Sequence, residues 1–150
     1  MNPPVVLASD MPRNPEEFFL SWKDTVEFIT LVAEQNKVDL DTVVLHYHED
    51  TPDHDGGHHE MGTSNYLQNR VTLCENSRAV ALHELAHLWA MEHHGSKWSF
   101  TYLYLLRKYL PEDDYEREAG AAAVRYPEFM KVARDWMHEG RLEGRHVFSM

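Results

Sequence analysis

His83, Glu84 and His87 stand in the pattern H-E-x-x-H inside the apolar stretch Ala79-Val80-Ala81-Leu82-His83-Glu84-Leu85-Ala86-His87-Leu88-Trp89-Ala90-Met91. Residues four apart on a helix share a face, so the two imidazoles can reach one small cation. Glu84 sits beside His83 and can reach a water on that cation. Two histidine ligands and a glutamate general base form the zinc-hydrolase arrangement. A third ligand is needed, and His93 and His94 follow just before Gly95. A straight helix delivers neither: His94 would lie roughly 10 Å beyond His87 along the axis at about 1.5 Å per residue. Zinc–nitrogen bonds are only about 2.0–2.1 Å long. The chain must therefore leave the helix and fold back. Gly95 is expected to permit the tight backbone of that return, Ser96 to cap the next helix, and Trp98 to pack against the site.

The helix that positions the motif has clear signals. Asn76 or Ser77 can cap it, and Arg78 to Ala90 can form its body. No Pro or Gly interrupts the run before Gly95. Leu82, Leu85, Leu88 and Trp89 leave little polar face, so the bland alternative of histidines and a glutamate turned to water fits poorly. Polar groups on a buried helix need partners, because a buried unpaired polar group is costly. A shared metal supplies one.

The stretch His83-Glu84-Leu85-Ala86-His87, followed by His94-Gly95-Ser96-Lys97-Trp98, resembles the SprT-like zincin metalloproteases and related small zincins of phage and bacterial genomes. The shared pattern is H-E-x-x-H, a short spacer, then H-G-x-x-aromatic, with a tail of helical character from Phe100 to Leu106. The likeness spans about Arg70 to Leu110. It implies one zinc ion held by His83, His87 and His94, with Glu84 as the catalytic base. It also implies a peptidase that acts on a protein or peptide substrate. The cysteine-rich zinc ribbon of many SprT proteins has no counterpart here, because Cys74 is the single cysteine.

The remaining elements follow from local signals. Asn14-Pro15-Glu16-Glu17 opens a helix with a cap, a first-turn proline and first-turn acids. Phe18, Phe19, Trp22, Val26, Ile29 and Ala33 give it an apolar stripe ending near Asn36, read as core. Residues 1–14 hold Pro3, Pro4 and Pro12 and read as an extended arm. Asp41 to His48 reads as a strand, and so does Asn65 to Leu73. In zincins an edge strand beside the cleft can pair with an extended substrate, and Gly62 to Leu73 is the segment expected to do so. Glu49 to Glu60 is rich in His and Asp but lacks a rigid ligand spacing, so it reads as a solvated loop rather than a second metal site. Beyond Gly95 three helices are expected. The first carries Trp98, Tyr102, Leu105, Leu106 and Tyr109 and closes at Pro111. The second starts at Pro111-Glu112-Asp113-Asp114. The third opens at Pro127, with Phe129, Met130, Ala133, Trp136 and Met137 on one face and Gly140 at its end. The 141–150 tail reads as loose. Tyr102, Tyr104 and Tyr115 are candidates for stabilising an oxyanion.

The fold class expected is α+β and zincin-like: an N-terminal helix, a small sheet, the H-E-x-x-H active-site helix and a helical C-terminal half, in one domain over residues 1–150. Lys and Arg number 14 against 25 Asp and Glu, a formal net charge of −11, which argues against a nucleic-acid-binding surface. One cysteine excludes an internal disulfide framework and fits a reducing compartment; Cys74 reads as a buried small residue. No run of about 18 apolar residues exists and the N-terminus lacks signal-peptide character, so no membrane association is expected and a cytoplasmic location is the default. Two rivals accompany the peptidase reading. One is a non-catalytic zinc-stabilised module that binds a protein. The other is a DNA-associated protease, an expectation taken from the SprT resemblance.

Overall fold

Helix α1, Pro15–Gln35, begins with a proline and carries Glu16 and Glu17 in its first turn, where acids complement the helix dipole. Its inward stripe is Trp22, Ile29, Val32 and Ala33, all buried, at the spacing of one helical face. In this computed structural model the described residues are 5–7, 15–45, 62–65, 69–73 and 75–139. The 49–60 loop, Cys74, the 141–150 tail and most of the expected arm lie outside them. The chain divides inside helix α2 into two units, one ending at Leu88 and the other beginning at Trp89.

The first unit is mixed α and β. Strands β1 (Val5–Leu7), β2 (Thr42–Leu45), β3 (Gly62–Asn65) and β4 (Arg70–Leu73) form a four-stranded sheet in the order β1-β2-β4-β3. β1 pairs in parallel with β2, Val5 opposite Val43, and β2 in parallel with β4, Val43 opposite Val71. Val43, Val44 and Leu45 are buried in succession, as in parallel strands covered on both faces. Part of the expected N-terminal arm is thus a sheet strand.

The expected single strand from Asn65 to Leu73 is corrected. β3 and β4 are separate strands paired antiparallel, Ser64 opposite Val71 and Asn65 opposite Arg70. Asn69 has φ 49°, a left-handed conformation that asparagine tolerates better than most residues. β3 is left at the sheet edge.

Helix α2 is Arg78–Ala90, as its caps and pattern predict. Ser77 is the cap: its Oγ accepts from the Val80 N–H at 3.3 Å, and its carbonyl accepts from Ala81 at 3.0 Å. Asn76 does something else. Its Oδ1 accepts from the Thr25 hydroxyl, and its Nδ2 donates to the Ser21 carbonyl at 2.8 Å, fastening α1 to the entrance of α2. Val80, Ala81, Leu82, Glu84, Leu85, Ala86, His87, Leu88 and Ala90 are all buried. A helix buried nearly all round is not a solvated surface element.

The second unit carries helices α3 (Ser96–Tyr109), α4 (Glu112–Arg125) and α5 (Pro127–His138), each packed on the other two. Trp98, Phe100, Leu103, Leu105 and Leu106 of α3 are almost completely buried, with Ala119 and Ala122 of α4 and Met130 and Ala133 of α5. Each buried Leu or Phe contributes roughly 1.5–3 kcal/mol relative to exposure. α3 ends because Leu110 adopts φ −111°, ψ 152°, the extended conformation favoured before proline. Phe129, expected on the inner face of α5, is 43% exposed; Met130 and Ala133 take that role. No helix among the described residues is long and apolar enough to cross a membrane.

Candidate metal centre

Burial and spacing on α2 set the first two imidazoles. His87 is buried and His83 half-buried, and their ring centroids lie 5.0 Å apart at 63°. Glu84 is buried as well, at 5% exposure, an expensive place for a carboxylate without hydrogen-bond donors. Its two oxygens face different groups. Oε1 accepts from the Ser64 hydroxyl at 2.8 Å, while Oε2 lies 3.9 Å from Nε2 of His83. Ser64 also lies 2.8 Å from the Glu84 backbone carbonyl oxygen. One hydroxyl proton cannot fully serve two acceptors, so Ser64 sits between them and ties the edge strand to the carboxylate.

The return after α2 differs in detail from its sequence expectation. Met91 takes the left-handed conformation, φ 52°, just past the helix end, a position usually given to glycine. Gly95, at φ −94°, ψ −163°, needs no glycine-specific conformation, and it caps α3 in place of Ser96. Space is what restricts Gly95: a Cβ there would fall 2.7 Å from Cδ of Glu92 and closer still to its Oε1. That carboxylate accepts from the Trp98 N–H at 3.2 Å, so Glu92 satisfies the first turn of α3 that glycine cannot cap.

His94 lies in this return, half-buried. Its ring meets Trp98 edge-on, centroids 4.6 Å apart at 90°, so Trp98 packs as expected. Its face stacks on Tyr126 at 4.5 Å and 15°. His93 is exposed.

The ligand atoms of His83, His87 and His94 all lie within 4.8 Å of one another. Two nitrogens on one tetrahedral zinc are separated by about 3.3 Å, from bonds of about 2.0–2.1 Å. The widest pair exceeds that separation by at most about 1.5 Å. The donors fit the group: three neutral nitrogens suit zinc and its first-row neighbours and are a poor set for calcium or magnesium, which prefer oxygen. The three histidines can thus hold a metal ion.

Of the tyrosines singled out in the sequence, Tyr102 is buried and stacked on Trp98 at 5.0 Å. Tyr104 meets Trp89 edge-on and accepts from Lys108, whose pKa this bond raises. Tyr115 lies beneath the Arg107 guanidinium at 5.6 Å. Sequence reasoning missed Tyr126, Ser64 and Glu92. Tyr126 precedes Pro127, which signals a helix break, but no spacing rule points its ring at His94. In comparisons with known proteins, no family model, curated protein or solved structure matches this chain.

Proposed function

We propose that this protein is a zinc-dependent peptidase of the zincin type, with His83, His87 and His94 as the metal ligands and Glu84 as the catalytic base. The observation that supports this reading is the three-histidine cluster with the buried Glu84 carboxylate beside one of its members. Zinc, when bound, would acidify a water and polarise the scissile carbonyl. Glu84 takes a proton from the attacking water at Oε2, the oxygen that Ser64 does not hold. It gives that proton to the departing amine nitrogen as the C–N bond breaks, and the second water proton follows from the new carboxyl group, leaving a carboxylate and a protonated amine. Ser64 keeps the carboxylate in one orientation throughout. The substrate expected is an unfolded or extended protein segment. The acidic balance, −11 overall, gives no support to a DNA-associated role.

The test is Glu84→Gln, which keeps size and shape but cannot accept a proton. Zinc-loaded wild type and variant are compared on a quenched peptide library. Cleavage should fall by about 100-fold or more, with zinc content and fold retained. Equal cleavage by the variant would overturn the assignment of the base. A zinc-loaded wild type that cleaves no peptide in the library would favour the metal-stabilised binding module.

A further inference from the structure

We infer that Tyr126 is a positioning residue for the metal centre, acting through His94; the inference rests on the metal reading of the three histidines. His94 is not on a helix but in the return between α2 and α3. Its ring is therefore not aimed by helical geometry as those of His83 and His87 are. Tyr126 covers its face at 4.5 Å and 15°, and Trp98 meets it edge-on at 4.6 Å.

Tyr126 is itself well fixed. It sits at the junction of α4 and α5, where its N–H donates to the Ala122 carbonyl at 2.8 Å and its carbonyl accepts from Met130 at 3.0 Å. Its ring also meets Trp98 at 5.4 Å and 76°, and the Arg125 guanidinium lies 5.7 Å from its centroid. A backbone held at two helix ends and a ring packed against Trp98 thus place Tyr126 to set the plane of the imidazole.

Stacking and coordination do not compete. The stack uses the face of the imidazole, whereas a metal takes the in-plane lone pair on a ring nitrogen. An imidazole on a divalent metal also gains positive character, which a tyrosine face attracts. Tyr126 therefore orients the empty ligand and favours the loaded one. Outer partners of metal ligands commonly act in this way, though usually by hydrogen bonding.

The experiment measures zinc affinity by chelator competition for wild type, Tyr126→Leu and Tyr126→Phe, and for each change combined with His94→Ala. Tyr126→Leu should weaken zinc binding by about tenfold. Tyr126→Phe, which keeps the ring face, should restore most of that loss. In the His94→Ala background, Tyr126→Leu should add nothing, because its effect runs through His94. A loss of the same size in that background would show a general structural role and overturn the inference. So would wild-type affinity in Tyr126→Leu. Absence of zinc binding in the wild type overturns the metal reading instead, which keeps the two failures apart. If Tyr126→Leu does not fold, NMR of the metal-free wild type decides. Ring-current shifts on the His94 ring protons, with cross-relaxation to the Tyr126 ring, support the stack; random-coil shifts for His94 contradict it.

Discussion

The Ser64 hydroxyl lies 2.8 Å from two oxygens of Glu84, the backbone carbonyl and Oε1 of the carboxylate. An edge strand is thereby joined to the buried acid of the H-E-x-x-H helix. Ser64→Ala removes a donor from a carboxylate at 5% exposure. We expect the metal-free variant to lose about 1–2 kcal/mol in urea unfolding. A variant as stable as wild type would show that this bond does not hold Glu84.

Gly95 and Glu92 act on one contact, so their effects should not add. Gly95→Ala displaces the Glu92 carboxylate from the Trp98 N–H, and Glu92→Ala deletes it. Each should cost about 1 kcal/mol, and the double variant scarcely more than either alone. Full additivity in denaturant unfolding would place the two residues in separate interactions.

The Ser99 hydroxyl is buried on α3 and has no hydrogen-bond partner among the described residues. Ser99→Ala removes that unsatisfied group and improves helix propensity. Thermal unfolding should shift upward by a few degrees, corresponding to about 1 kcal/mol for a chain of this size. A downward shift would reveal a partner for the hydroxyl.

Legibility in the sequence followed the range of the forces involved. The limits of α1, α2 and α3 were readable because prolines, acids and Ser77 act within one helical turn. His83 and His87 were readable for the same reason, as their spacing alone puts them on one face. His94 lies close to His83 and His87, yet the device that turns the chain is not the one its residues suggest. The left-handed residue is Met91, whose type gives no such signal, and at Gly95 it is the Glu92 carboxylate, not the glycine's own backbone, that a side chain would disturb. The β3–β4 hairpin was hidden because Gly62-Thr63-Ser64-Asn65 has little strand character and is shaped by pairing with β4. Val5–Leu7 was masked by its proline-rich neighbours. Tyr126 reaches His94 across more than thirty residues, a contact that depends on how α3, α4 and α5 pack.

The most direct measurement is the metal content of protein made without a histidine tag, dialysed against zinc and then against buffer, with the metal counted by mass spectrometry. We predict about one zinc per chain in the wild type, and little in His83→Ala, His87→Ala or His94→Ala under the same washing. His93→Ala should keep its zinc. The loaded wild type should also melt at a higher temperature than the stripped protein, since an ion bound by the native state alone stabilises it. A wild type that retains no zinc, or His→Ala variants of the cluster that retain as much as wild type, would contradict the account.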